Sequence, residues 1–65
     1  MYEMGREIMR NEAQARKLAD EIRCMNLEDA HIAVRDTTVY YEFNARSSST
    51  KDWIQRLAFS IYRGN

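Results

Sequence analysis

Few side chains in this sequence are of the types that carry catalysis, and the clearest pair is His31 and Glu42. The alternation of residues 30–45 predicts two strands with a turn at Asp36 and Thr37, which places His31 and Glu42 opposite each other on the exposed face of a hairpin. An imidazole beside a carboxylate can act as a general base with an orienting acid. An open two-stranded ribbon forms no pocket, however, so we interpret the pair as a surface contact between strands.

The single cysteine, Cys24, falls near the end of the first predicted helix. Reactive thiols favour helix N-termini and positively charged surroundings, so we expect Cys24 to be a partly buried structural residue. One histidine and one cysteine do not complete a closed zinc site, and no carboxylate spacing supports one. The sequence therefore predicts no catalytic residues, no metal and no cofactor, and a protein that is not an enzyme.

Length and charge limit the remaining possibilities. A chain of 65 residues is expected to be one domain, residues 1–65, and domains of this size bury only about 60% of their unfolded surface. Oligomerisation or a partner often supplies the missing stability. One cysteine, with no secretory leader and no membrane-spanning run, predicts a cytoplasmic protein without membrane contact.

Apolar residues in the first 25 positions recur at helical spacing and predict a helix over about 6–25. We call them the N-terminal stripe: Met4, Ile8, Ala15, Leu18, Ile22 and Met25. Asn11 occupies the missing step, where an asparagine either fixes the register of a coiled coil or faces solvent because the stripe frays. Asn26 is predicted to end the helix in a left-handed conformation.

The next segment changes to a period of two and predicts strands at about 30–35 and 38–45. In the register that this pattern favours, all the large apolar groups share one face. The predicted opposite pairs are Val34 with Val39, Ile32 with Tyr41, and Ala30 with Phe43.

A second helix is predicted over about 50–63, with Ser49 as its N-cap, Asp52 in its first turn and Gly64 at its end. Its apolar arc is predicted to contain Trp53, Ile54, Leu57, Ala58 and Ile61. The expected fold is α+β with the order αββα, in which two helices cover one face of a two-stranded antiparallel sheet.

The sequence resembles two known protein families in part. The order helix, hairpin, helix resembles that of the small head-completion proteins of tailed phages, which implies a role in virion assembly. Residues 41–46, followed by Asp52, Trp53, Ile54 and Leu57, resemble the strand and the Asp-Trp helix start near the N-terminus of class 3 lipases. The chain lacks the Arg-Gly-Thr that follows that strand and the G-x-S-x-G nucleophile elbow, so no lipase activity is implied.

Residues that fall outside the predicted core point to function, because aromatic residues and arginine often anchor protein interfaces. The candidate contact set is Tyr40, Phe59, Tyr62 and Arg63. We predict a non-enzymatic protein-interaction module, such as a phage or mobile-element encoded inhibitor that binds and occludes a larger host protein. The N-terminal part of the stripe has no predicted cover, so Met4, Ile8 and Asn11 are the candidate contact with a second copy through helix 1.

The alternative is a nucleic-acid-associated or virion-assembly protein that uses the basic residues of the C-terminal half. These are Arg35, Arg46, Lys51, Arg56 and Arg63. Nucleic-acid-binding proteins usually concentrate positive charge on one face, whereas here ten acidic residues balance ten basic ones. The sequence therefore favours a protein partner over a nucleic acid.

Overall fold

The computed structural model describes residues 1–64 and has a three-stranded antiparallel sheet with two helices packed on one face. The elements in chain order are β1 (Tyr2–Ile8), α1 (Glu12–Cys24), β2 (Glu28–Arg35), β3 (Thr38–Asn44) and α2 (Ser49–Arg63). β3 lies in the centre and pairs with β1 on one side and β2 on the other. The fold is α+β with the order βαββα, so the predicted αββα order with two strands is wrong.

The error lies at the N-terminus, where the predicted helix over 6–25 is divided into β1 and a shorter α1. Met4 and Ile8 are four residues apart, and this spacing places two residues on one face of either a helix or a strand. The exposure of β1 alternates at every residue, as in a strand, and β1 pairs with β3 along its whole length. The local pattern of this segment fits both a helix and a strand. Pairing with β3, which is distant in the sequence, therefore determined that it forms a strand.

Asn11 is the N-cap of α1 and not a position on its apolar stripe. Its side-chain oxygen accepts a hydrogen bond from the backbone N–H of Gln14 at 2.9 Å. The rest of the stripe covers the sheet as expected, because Ala15, Leu18 and Ile22 are all buried. Asn26 has a φ of 51° just after the helix, which confirms the predicted left-handed residue at this end.

The hairpin of β2 and β3 has most of the predicted register: Val34 pairs with Val39, Ile32 with Tyr41 and His31 with Glu42. The predicted pair of Ala30 with Phe43 is wrong, because β2 has one extra residue between Glu28 and His31. Asp29 lies in this bulge with a φ of 52°. At the turn, Asp36 has a φ of 55° and takes the left-handed conformation that glycine would otherwise supply.

α2 begins one residue earlier than predicted. Ser48 precedes it without a side-chain capping bond, so Ser49 is the first helical residue and not the N-cap. Gly64 ends the helix with a φ of 90°, as expected. Ile54, Ala58 and Ile61 are buried, but Trp53 is 58% exposed and does not belong to the buried arc.

The core lies between the sheet and the two helices. Its buried residues are Met9, Ala15, Leu18, Ala19, Ile22, Val39, Tyr41, Phe43, Ala45, Ile54, Ala58 and Ile61. Met9 was not assigned to the core from the sequence, because it lies in the connection between β1 and α1 and not on a periodic face. Its backbone N–H donates to the carbonyl of Thr37 at 2.8 Å, which fixes this connection beside the hairpin turn.

The side of β1 that faces the helices carries no large apolar residue. Glu3, Gly5 and Glu7 occupy it, and Tyr41 of the central strand pairs with Gly5. The Tyr41 hydroxyl donates to a Glu7 carboxylate oxygen at 2.9 Å, so the phenol ring extends beneath β1 and fills this space. The apolar residues of β1 consequently point to the other side of the sheet, away from both helices.

Candidate interaction surfaces

The face of the sheet that the helices leave uncovered is the first candidate surface, and we call it the sheet face. Residues paired across antiparallel strands share a face, so the register defines four rows with members from β1, β3 and β2 in that order. The rows are Tyr2, Asn44 and Glu28; Met4, Glu42 and His31; Arg6, Tyr40 and Ala33; and Ile8, Thr38 and Arg35.

Apolar side chains on the sheet face are well exposed. Tyr2 is 52% exposed, Met4 61%, Ile8 65% and Tyr40 40%. Half of the large exposed hydrophobic residues of the described chain therefore lie on one face of one sheet. This concentration of exposed apolar side chains makes the sheet face a candidate surface for another molecule to cover.

Charges on the sheet face are separated along the strands. Glu28 and Glu42 lie in the first two rows, whereas Arg6 and Arg35 lie in the last two. The sheet face therefore has two acidic residues toward one end, where Arg46 lies 4.0 Å from Glu28, and two basic residues toward the other. We call these its acidic end and its basic end.

His31 and Glu42 face each other across β2 and β3 on this exposed surface, as the sequence predicted. Tyr2 is a diagonal neighbour of Glu42, and desolvation of its phenol together with the Glu42 carboxylate raises the pKa of Tyr2. Met4, Arg6 and Tyr40 lie beside this pair on the sheet face. The pair therefore lies on an open surface and not in a pocket that excludes water.

α2 carries the second candidate surface, the α2 surface, which consists of Arg10, Asp52, Arg56, Phe59, Tyr62 and Arg63. Phe59 is 61% exposed and Tyr62 is 40% exposed. Each ring contacts an arginine: the Arg63 guanidinium carbon lies 5.4 Å from the centre of the Phe59 ring, and that of Arg10 lies 4.7 Å from the centre of the Tyr62 ring. Cation–π contacts at such distances hold the guanidinium groups beside the aromatic rings.

The structure divides the predicted contact set between these two surfaces. Phe59, Tyr62 and Arg63 lie together on α2, whereas Tyr40 lies on the sheet face, with the sheet and the helix layer between them. Tyr40 therefore does not contribute to one surface with the other three. A single partner that contacts all four would have to wrap around the domain.

The predicted contact with a second copy is also divided. Met4 and Ile8 are exposed on the sheet face, but Asn11 caps α1 and has no place there. Met4 and Ile8 belong to β1 and not to α1, so a contact between copies at these two residues would use the sheet. The contact itself stays a prediction.

The protein-family models, the curated proteins and the solved structures contain no match to this chain.

The basic residues of the alternative hypothesis do not meet on one surface. Arg35 is on the sheet face, while Arg46 lies 4.0 Å from a carboxylate oxygen of Glu28. Lys51 is partly buried in the first turn of α2, and only Arg56 and Arg63 belong to the α2 surface. The phosphate-binding face that a nucleic-acid-binding protein would need is thus reduced to these two arginines together with Arg10.

Cys24 is the last residue of α1 and is exposed, so the expected partial burial is wrong. Within residues 1–64, no group of three or more histidine, cysteine or acidic side chains is arranged to hold a metal ion, and neither helix has the length and apolar character needed to cross a bilayer.

The place of Tyr2 on an exposed surface and the exposure of Trp53 were not predicted from the sequence. Tyr2 begins the alternation with Met4 and Ile8 that marks β1, and this period of two was the signal available for it. Trp53 is adjacent to Ile54 and one helical turn from Leu57, so helical spacing alone predicted that it belongs to the buried arc. Only the position of α2 against the sheet shows that this edge of the helix faces solvent.

Proposed function

We propose that this protein is a non-enzymatic interaction module that binds a larger protein through the α2 surface and inhibits it by occlusion. The observation that carries this proposal is the pairing of exposed aromatic rings with arginines, Phe59 with Arg63 and Tyr62 with Arg10. Tyrosine, phenylalanine and arginine are residues that provide much of the binding energy at the centres of interfaces.

The charge of the α2 surface selects the chemistry of the partner. Three arginines, Arg10, Arg56 and Arg63, share it with one acidic residue, Asp52. None of these three arginines takes part in a salt bridge among the described residues. The occupant that fits is an acidic protein surface with an apolar centre, because it would satisfy the guanidinium groups and cover the aromatic rings.

Photo-cross-linking tests this proposal directly. A photoreactive phenylalanine analogue at position 59 is expected to cross-link one protein in a bacterial lysate, which mass spectrometry identifies. The same analogue at position 17 is the matched control, because Lys17 is an exposed residue of α1 outside both surfaces.

Calorimetric titration with the identified protein then measures the contribution of each group. Phe59→Ala and Arg63→Glu are each expected to weaken binding by about tenfold or more, and added salt is expected to weaken it further. Lys17→Glu should leave the affinity unchanged. Wild-type affinity in both α2 variants would contradict the proposal.

The nucleic-acid alternative predicts a different result in the same assays. Binding to single-stranded DNA at low salt, with an affinity that falls steeply as salt rises, would replace the protein partner by a nucleic acid.

A further inference from the structure

We propose that the sheet face is the contact between two copies of this chain, related by a two-fold axis that runs across the strands. This inference concerns a different surface from the proposed function and does not depend on it. The sheet face is exposed across three strands and carries four exposed apolar side chains, and no element of residues 1–64 covers it.

The charge pattern identifies a second copy as the occupant. Two copies that pack face to face about an axis across the strands place the first row of one sheet over the last row of the other. Glu28 of each copy then lies over Arg35 of the other, and Glu42 lies over the row that contains Arg6. The acidic end of each sheet face meets the basic end of its partner.

The other face-to-face two-fold axis, parallel to the strands, gives a poorer contact. It keeps each row over itself, so that Glu42 of the central strand faces Glu42 of the second copy. Like charges that are brought together and desolvated oppose association. The charge separation along the strands therefore selects one of the two arrangements.

Apolar side chains also lie in this contact. The two central rows exchange places, so that Met4 lies over Arg6 of the other copy and Tyr40 lies over Glu42, while Ile8 lies over Tyr2. The apolar members of these pairs are Met4, Tyr40, Ile8 and Tyr2. These side chains are the ones that the monomer leaves exposed. Their burial supplies the favourable free energy of the contact.

The size of the sheet face sets the strength of the contact. Strands of 7 residues, at about 3.3 Å per residue and about 4.8 Å apart, give a face of roughly 14 by 23 Å. The area of that outline is well below the roughly 800 Å² that each partner buries in a standard interface. We therefore expect a weak, reversible dimer.

Sedimentation velocity of the full chain over about 1 to 500 µM is the first test of a contact of this size. The proposal expects monomer at the lowest concentrations and dimer at the highest. Met4→Lys places a charge at the centre of the contact and is expected to raise the dissociation constant at least about tenfold. Met4 is exposed in the monomer, so the variant should remain folded, which circular dichroism checks.

A charge exchange provides the second and sharper test. Glu28→Arg and Arg35→Glu are each expected to raise the dissociation constant about three- to tenfold, and the double variant is expected to return to within about twofold of the wild type. Glu28 and Arg35 are at opposite ends of β2, roughly 23 Å apart within one copy. Recovery in the double variant must therefore come from contact between copies.

Controls separate this surface from the α2 surface. Lys17→Glu and Phe59→Ala should both dimerise like the wild type. The proposal is overturned if the chain is monomeric at every concentration, if Met4→Lys dimerises normally, or if the double variant is as weak as the two single changes combined.

Discussion

At the scale of single residues, the close approach of Tyr41 to Gly5 explains why β1 presents its apolar side outward. A Cβ atom built at position 5 would lie 2.6 Å from the Tyr41 hydroxyl oxygen and 2.7 Å from the ring carbon that carries it. No side chain fits between β1 and this ring, so Gly5 lets the phenol reach Glu7. The ring takes the place that an inward apolar residue of β1 would occupy.

Gly5→Ala is therefore expected to destabilise the fold. Replacing glycine by alanine in a strand by itself stabilises by about 0.5–1 kcal/mol, but overpacking of this kind costs about 1–3 kcal/mol, so the clash decides the sign. Urea denaturation measures the loss. Tyr41→Phe should not relieve it because the ring carbon remains, whereas in a Tyr41→Leu background the same glycine change should become neutral or stabilising. An equal cost in both backgrounds would refute the contact.

The Tyr41 hydroxyl also makes stability depend on pH. Burial of the phenol and its hydrogen bond to Glu7 raise the pKa of Tyr41 well above its ordinary value of 10.0. The folded state then holds this proton more tightly than the unfolded chain does, so the contribution is complete below pH 10 and is lost as the pH rises further.

The measurable consequence is the difference in unfolding free energy between the wild type and Tyr41→Phe. Between pH 10 and pH 11, this difference is expected to move by about 1 kcal/mol against the wild type, since only the unfolded chain releases the proton readily in this range. Urea denaturation at each pH provides the values. A difference that stays constant over this interval would show that Tyr41 ionises equally well in both states.

At the scale of elements, the two helices begin in different ways. Asn11 accepts a hydrogen bond from the Gln14 N–H, whereas Ser48 makes no side-chain capping bond. α1 is therefore held at its start by a specific side chain, and α2 by the packing of its buried residues against α1 and the sheet.

Replacement of each N-cap by alanine tests this difference. Asn11→Ala is expected to lower the unfolding free energy by about 1 kcal/mol because the Gln14 N–H loses its partner. Ser48→Ala is the matched control and should stay within about 0.5 kcal/mol of the wild type. Thermal or urea denaturation of both variants measures the effect. Equal losses would mean that the Asn11 bond contributes nothing specific.

At the scale of the whole molecule, the layered fold keeps the two candidate surfaces apart. The sheet face lies on one side and the α2 surface lies outside the helix layer on the other. A dimer formed through the sheet faces would therefore leave both α2 surfaces accessible. Each dimer would present two copies of the Phe59 and Tyr62 site, which would increase the avidity for a partner that is itself repeated or dimeric.

The sequence by itself determined the elements whose pattern is local. The hairpin follows from its period of two, with Ile32 opposite Tyr41, and α2 follows from its apolar spacing and from Gly64. The exposure of Phe59 was also predicted, because a helix buries only one arc. In these segments local propensity and tertiary packing agree, so the sequence pattern was sufficient to predict the structure.

Only the tertiary structure decided what the first residues become. Met4 and Ile8 fit a helix or a strand equally well, and pairing with β3 selected the strand. That choice added a third strand, made Asn11 a cap and turned the apolar residues of β1 to the open side of the sheet. The sheet face was therefore invisible in the sequence, because its rows join residues of three strands that are separated along the chain and meet only through hydrogen bonds between them.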